Sequence, residues 1–377
     1  MIKRIFHIAD VHVRLYTREQ EYRLVFDELF SEIKRIGTED SVICVLGDVA
    51  HVKTDISPEM VVLVTDFLRG CADLCPTILI PGNHDFNESN KNKLDALYPV
   101  VHAMKHPKLY YSRGSEVIKI DDDVAFSHLS IYDSSDNWTL APDIIDAKVK
   151  IAMYHGPVVG ASTDIGFDNF INALPIETFD GFDIGLLGDI HKYSVFGEKK
   201  NIAYPSSLIQ QDHGENVDTH GFIVWDIPTK THEFVKLTNP YSQYTIKVDS
   251  GKVLTELPPL LPTSVVRVQY TNTDKLALKE ISDNLTSKFG MRSIALNEEK
   301  NATKWRPEAA TEHVDNIFKS WDINAQSELF SSYFTAMGDI PSSEVFDKIM
   351  KLHRDLSAQY DSTTTNMMGV TWDPISL

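Results

Sequence analysis

The sequence predicts an α/β fold with two β-sheets flanked by helices, followed by a small α/β module and a helical end. Three observations carry this. Short apolar runs of β type alternate with stretches of helical periodicity in the first hundred residues. From Gly114 onwards, strand-like segments follow one another between Gly, Asp and Asn turns, which predicts a second sheet of antiparallel strands. The character then changes near Asn239-Pro240, and "ELPPLLPTS" at 256–264 has the proline density of a connector between domains.

Taken in order, "KRIFHIAD" is a strand ending in Asp10. Tyr22, Val25, Phe26, Leu29, Phe30 and Ile33 then recur on one face of an amphipathic helix. "SVICVLGD" is a second strand ending in Asp48, Met60 through Leu68 a second helix, and "TILIPGNHD" a third strand running into Asn83, His84 and Asp85. In such stacked βαβ units, sites gather at the carboxyl ends of the strands. The segments "EVIKI", "VAFSHLSIY", "NIAYP", "GFIVWDI" and "HEFVKL" supply the second sheet, while "KIAMYHG" and "DIGLLGDIH" carry apolar runs into His155 and into Asp189 and His191. Beyond residue 240, "SVVRVQY" is a strand and Lys275 to Phe289 a helix. Leu329, Phe330, Tyr333, Phe334 and Met337 form one apolar stripe and Val345, Ile349, Leu352 and Leu356 another, on two short helices separated by Gly338-Asp339-Ile340-Pro341. These segments divide the chain into a first domain at 1–240, a small α/β module at 241–322, a helical segment at 323–360 and a flexible tail at 361–377.

Composition narrows the function. A chain of 377 residues, 42% hydrophobic, can bury a real core. No run of 18 or more apolar residues occurs and "MIKRIFHIAD" lacks the features of a secretory signal, so a soluble, intracellular protein with no membrane partner is expected. Cys44, Cys71 and Cys75 are too few for a disulfide framework or a zinc cage. The formal charge of -18 excludes a surface that grips nucleic acid everywhere, so a polyanionic substrate needs metal ions, a local basic patch or a partner to offset repulsion.

The chemistry lies in the strand ends. In the D-x-H triplet Asp10-Val11-His12, residues two apart on extended chain face the same way and can share an ion, and Gly188-Asp189-Ile190-His191 repeats that geometry. Gly47-Asp48 alone is a common turn. Gly82-Asn83-His84-Asp85 is more specific, because a neutral amide oxygen completes a coordination sphere without adding negative charge where a phosphate must sit. His7 and His128 fit as satisfied core histidines, and His213 and His220 as solvated loop residues. Lys91, Lys93, Lys105, Lys108 and Arg113 form a basic stretch that either tracks a DNA backbone or is a solvated surface.

The ordered set D-x-H, G-D, G-N-H-D, H-G and G-D-x-H resembles the signature of the calcineurin-like metallophosphoesterases, and within them the chain is most similar to the SbcD-type nucleases of the SbcC–SbcD DNA repair complex. The narrower likeness rests on His51 in "GDVAHVK", on "AYPSSLIQQDHGENVDTHGFIVWDI", and on the small module with its helical end. It is strong over about residues 1–240 and organisational beyond. The resemblance implies a two-sheet sandwich followed by a DNA-capping module and C-terminal helices that bind an SbcC-like ABC/SMC-type ATPase, in a homodimer. It also implies two divalent ions, Mn²⁺ or else Mg²⁺, one held by Asp10, His12, Asp48 and His191 and the other by Asp48, Asn83, His155 and Asp189, with Asp48 bridging. Asp189 departs from the histidine usual there. His84 is then the general acid, with Asp85 orienting its ring, and His51 contacts the substrate phosphate. The function so implied is exonucleolytic or endonucleolytic hydrolysis of DNA. The alternatives are a phosphodiesterase or phosphatase acting on a small molecule or a protein, and a non-catalytic scaffold for the ATPase.

Overall fold

In the computed structural model, which describes residues 1–298 apart from 15–17, 52–56, 87–89, 92 and 291–292, the chain begins as alternating strands and helices. These are β1 (Arg4–Ile8), α1 (Glu19–Ile36), β2 (Ser41–Leu46), α2 (Pro58–Leu74), β3 (Thr77–Ile80), α3 (Tyr98–Met104) and β4 (Leu109–Tyr111). Strands β1 to β4 are neighbours and parallel. Every residue of β2 is buried, as expected of a central strand covered on both faces. On one face lie α1, through Tyr22, Val25, Phe26, Leu29 and Ile33, and α2, whose Phe67 ring centroid is 4.9 Å from that of Phe26. α1 carries Glu19 and Glu21 in its first turn and Lys34 and Arg35 in its last, matching the helix dipole. α2 starts where Ser57 accepts a hydrogen bond from the Met60 amide and Pro58 takes the first helical position.

The second sheet contains β5 (Glu116–Lys119), β6 (Val124–His128), β7 (Val149–His155), β8 (Ile184–Gly188), β9 (Ser194–Phe196) and β10 (Ile202–Tyr204), in the spatial order β5-β6-β7-β8-β10-β9. It differs from the antiparallel sheet expected. The pairs β6–β7, β7–β8 and β8–β10 are parallel, and antiparallel pairing is confined to the edges. Residues 129–148 and 156–183 are long enough to cross over, but they do so as irregular chain and short 3₁₀ turns, which leave no helical periodicity in the sequence. A second correction concerns β11 (Gly221–Asp226) and β12 (Thr231–Lys236), which return to the first sheet, β11 lying antiparallel to β1 with Phe6 opposite Val224.

The two sheets pack face to face, giving the sandwich and the mixed α/β class the sequence predicts. Ile5, Val42, Cys44 and Ile78 of the first sheet meet Phe126, Ile151, Met153 and Ile184 of the second, with Trp225 fully buried among them. His7 lies here too, its Nε2 2.9 Å from the Leu187 carbonyl, and His128 pairs with Ser112 Oγ at 2.9 Å.

A third sheet follows, of β13 (Gln243–Asp249), β14 (Lys252–Val253), β15 (Val265–Thr271) and β16 (Ser293–Glu298), ordered β14-β13-β15-β16. Ile246, Val248, Val266 and Val268 pack against Leu278 and Leu285 of α4 (Lys275–Phe289). Asp274 caps that helix at the Ala277 amide, and Gly290 closes it in the left-handed conformation at φ 68°. The proline-dense stretch 256–264 joins β14 to β15 inside this module rather than preceding it. The described residues lie in the unit Met1–Glu299, while the end of the 241–322 module, the helices expected at 323–360 and the tail at 361–377 lie outside the described residues. No helix among the described residues is long and apolar enough to cross a membrane.

Candidate metal centre

Strands β1, β2, β3, β7 and β8 all end at one rim of the sandwich, and each delivers polar groups there. Asp10 and His12 follow β1, Asp48 follows β2, Asn83 and His84 follow β3, His155 closes β7, and Asp189 and His191 follow β8. The chain turns abruptly at these ends. Asp10, His12, Asp48 and Asp189 all have left-handed φ, at 54°, 48°, 52° and 97°, a region that non-glycine residues occupy only when the surroundings enforce it. Sheet pairing enforces it here, through bonds such as the Asp10 amide to the Gly47 carbonyl and the His12 amide to the Asp48 carbonyl.

Close packing explains the glycines that precede the ligands. A Cβ at Gly82 would sit 2.5 Å from His155 Nε2 and 2.6 Å from the Asp48 amide nitrogen, and one at Gly188 would sit 2.8 Å from His155 Nδ1. Only glycine lets three strand ends converge so tightly around one imidazole.

Two groups of donors share Asp48. On one side Asp48 Oδ2 is 3.5 Å from His12 Nε2, which is 2.9 Å from His191 Nε2, and Asp10 Oδ1 lies 3.8 Å from the same His191 atom. On the other, His155 Nε2 is 3.3 Å from Asp48 Oδ1, 3.3 Å from Asn83 Oδ1 and 3.9 Å from Asp189 Oδ1. Three sets have donor atoms that all lie within 4.8 Å of one another: Asp10 with His12 and His191 inside the first group, Asp10 with Asp48 and His155 spanning the two, and His12 with His51 and His84 at the rim. The His155 Nδ1 hydrogen is donated to the Leu46 carbonyl at 2.7 Å, which turns Nε2 towards the carboxylates.

This donor set fits divalent cations. Asp10 and Asp48 are essentially fully buried, and among the described residues their ion-pair partners are imidazoles alone. Such carboxylates are costly to desolvate without a balancing positive charge. Burial pushes the Asp10 carboxyl up to about 7 despite the nearby His191 and His155 rings. Burial acts the same way on Asp48, but its contacts with His155 and His12 hold it below the ordinary carboxylate range. A mixed carboxylate, imidazole and amide-oxygen set suits divalent cations that accept oxygen and nitrogen donors rather than a thiolate-seeking metal.

His51 and His84 complete the rim. Their rings stack at 5.4 Å between centroids and 12° between planes, and His51 Nδ1 is 3.3 Å from His12 Nδ1. One expectation is overturned. Asp85 does not touch the His84 ring, because its carboxylate accepts the Ala50 and Gly82 amides, each at 2.8 Å, and so holds the turn itself. The His84 ring is set instead by the His51 carbonyl, 3.1 Å from its Nδ1.

Other residues fall differently from the sequence reading. His220 is buried rather than solvated, with Nδ1 3.1 Å from Ser207 Oγ. Arg113 belongs to the scaffold, bonded to Asp95 and to the Lys91 and Lys93 carbonyls. Lys91 lines a cavity of about 450 Å³ next to Asn83 and His155. The sequence reading missed Glu215, whose Oε1 lies 2.6 Å from His191 Nδ1. Its signal was present in "QQDHGEN", an acidic residue within a segment already singled out, but nothing local ties it to a histidine 24 positions earlier.

The model of the calcineurin-like phosphoesterase family matches residues 3–202, which include every ligand candidate from Asp10 to His191. Protein R555 of Acanthamoeba polyphaga mimivirus is 36% identical over 304 residues, 78% of this chain but 22% of that protein, so the chain spans less than a quarter of that relative. Protein 244L of Invertebrate iridescent virus 6, named as a candidate phosphoesterase, is 25% identical over 224 residues, 57% of this chain and 73% of its own. Among solved structures, GAP50, the anchor in the inner membrane complex of Plasmodium, aligns over 79% of this chain and 98% of its own at 11% identity and a TM-score of 0.36, too slight a likeness to carry an argument.

Proposed function

This chain belongs to the calcineurin-like phosphoesterase family, whose members use divalent metals to hydrolyse phosphoesters, and from that premise we propose that it is a DNA nuclease that cleaves phosphodiester bonds with two Mn²⁺ or Mg²⁺ ions. The observation that carries the reading is Asp48, whose two oxygens face separate groups of ligands, 3.5 Å from His12 Nε2 and 3.3 Å from His155 Nε2. Asp10, His12 and His191 would hold one ion, Asn83, His155 and Asp189 the other, and Asp48 both.

When bound, the ions supply Lewis-acid activation of the phosphoryl group and of the attacking water. The protein's own groups do the rest. Asn83 offers a donor without a charge that would repel the phosphate. His84, whose Nδ1 hydrogen is held by the His51 carbonyl, presents Nε2 to the departing sugar oxygen, and in its doubly protonated form would give that oxygen the Nε2 proton and be left as the neutral ring. His51, stacked on His84, orients the phosphate and stabilises charge as it develops.

DNA as substrate rests on the likeness to SbcD-type nucleases at His51 and over residues 203–227. The same reading gives the segment 323–360, outside the described residues, to an SbcC-like ABC/SMC-type ATPase, and the working form to a homodimer. One observation favours a smaller phosphodiester instead. The cavity of about 350 Å³ beside His191 is lined by Asp164, Asp189, Asp212 and Glu215 against Lys192 alone, and the chain carries a net charge of -18. Linear duplex DNA and bis(4-nitrophenyl) phosphate, each offered with Mn²⁺ and with chelator, separate the readings. The nuclease requires Mn²⁺-dependent loss of duplex DNA. Turnover of the nitrophenyl ester alone means the small-diester enzyme, and no turnover of either removes both diesterase readings and leaves the phosphatase and the scaffold.

A further inference from the structure

Glu215 lies outside the strand-end motifs, yet both of its carboxylate oxygens are held. Its side chain is 10% exposed. Oε1 accepts the His191 Nδ1 hydrogen at 2.6 Å, while Oε2 accepts the Gln211 amide at 2.7 Å and the Ser207 hydroxyl at 3.1 Å. Both oxygens are engaged, so the carboxylate has no freedom to turn away from the ring. The equivalent position on the other side of Asp48 is built differently, since the His155 Nδ1 hydrogen goes to the neutral Leu46 carbonyl.

The contrast has a chemical consequence. A hydrogen bond to a carbonyl fixes a histidine's tautomer, whereas one to a carboxylate also pushes electron density into the ring and makes the opposite nitrogen a stronger donor. We propose that Glu215 is a positioning residue for metal binding, fixing His191 with Nε2 unprotonated and strengthening the Asp10, His12 and His191 pocket while leaving the His155 pocket untouched. The inference rests on the metal-dependent reading above and adds to it a residue that touches neither metal nor substrate.

Mn²⁺ binding to the full chain, followed by calorimetry and by electron paramagnetic resonance, tests it without recourse to activity. In E215Q an oxygen can still meet His191 but the charge is gone. One of the two Mn²⁺ affinities should fall by about 10- to 100-fold and the other stay at the wild-type value. If Glu215 acts through His191, adding E215Q to H191A should change nothing further. S207A, which removes a partner of Glu215 but leaves the carboxylate on His191, should bind both ions as the wild type does. Unchanged affinities in E215Q, equal weakening of both sites, or an S207A variant as weak as E215Q would each overturn the assignment. Should the wild type bind no Mn²⁺ at all, the metal-dependent reading falls with it, whereas two ions in both the wild type and E215Q at equal affinity sink only the role of Glu215.

Discussion

His84 and Gly82 sit four positions or fewer from the end of β3, yet they test different things. As proton donor, His84 matters in proportion to how badly the leaving group needs the proton. On a dinucleoside phosphate, whose leaving alkoxide is strongly basic, His84→Gln should lower kcat by about 10²- to 10⁴-fold with Mn²⁺ binding retained. On bis(4-nitrophenyl) phosphate, whose leaving phenolate is stable unprotonated, the loss should be far smaller. Equal losses on the two substrates would show that His84 does not donate the proton. Gly82 bears on packing, because an added methyl group would press on the Asp48 amide nitrogen and on His155 Nε2. Gly82→Ala should therefore cost about 1–3 kcal/mol in urea unfolding and weaken Mn²⁺ uptake together. A variant with wild-type stability and uptake would mean that the rim relaxes freely. At this scale the sequence was informative wherever a residue's type and its place at a strand end coincide, as for Asp10, Asp48 and Asn83. It was silent on Glu215, on the left-handed φ of Asp189 and on what holds His84, since each depends on a neighbour supplied by a distant segment.

Elements were legible in proportion to how locally their signals are written. α4 occupies the span predicted from its apolar spacing, with a capping Asp274 before it and Gly290 after it, and α1 shows its buried stripe in the residues named from periodicity. Strand partners were not legible. A run of β-branched and aromatic residues between turns says that Gly221–Asp226 is a strand but not that it pairs with β1, because that choice is made by the inter-sheet core around Trp225. His7, on β1, shows what this core imposes. Its Nε2 hydrogen goes to the Leu187 carbonyl and its Nδ1 faces the Trp225 Nε1 hydrogen at 3.5 Å, so a second proton has no acceptor. Burial lowers its pKa from 6.5 to about 3. Below pH 6.5 the unfolded chain therefore binds a proton that the folded chain refuses. The stability this provides is complete above pH 6.5 and is lost as pH falls towards 3, at about 1.4 kcal/mol per pH unit. Measured by urea unfolding in chelator, His7→Gln, which keeps a donor for Leu187, should show a shallower acid slope than the wild type by that amount. Parallel slopes would place the titrating group elsewhere.

For the whole molecule, the ligands are divided between the two sheets. Asp10, His12, Asp48 and Asn83 follow strands of the first sheet, while His155, Asp189 and His191 end or follow strands of the second. Below the rim the sheets are joined by the apolar core that Ile78 shares with Phe126 and Ile151, and at the rim they meet through buried carboxylates and imidazoles, where burial disfavours the charged form of Asp10. On the proposed function, bound ions therefore act as a clamp across the sandwich as well as a catalytic device. Each ion at about 100 times its dissociation constant should raise unfolding free energy by about 2.7 kcal/mol, and chelator should remove the gain completely. The division between sheets makes a sharper demand. Asp48→Asn, which impairs both sites, should abolish nearly all of the Mn²⁺-dependent rise in Tm, whereas His155→Ala should abolish only the part belonging to the second ion. If Mn²⁺ and chelator gave superimposable unfolding curves for the wild type, the buried carboxylates of Asp10 and Asp48 would have to be stabilised by the surrounding imidazoles alone, and the rim would be a structural ion-pair cluster rather than a metal centre.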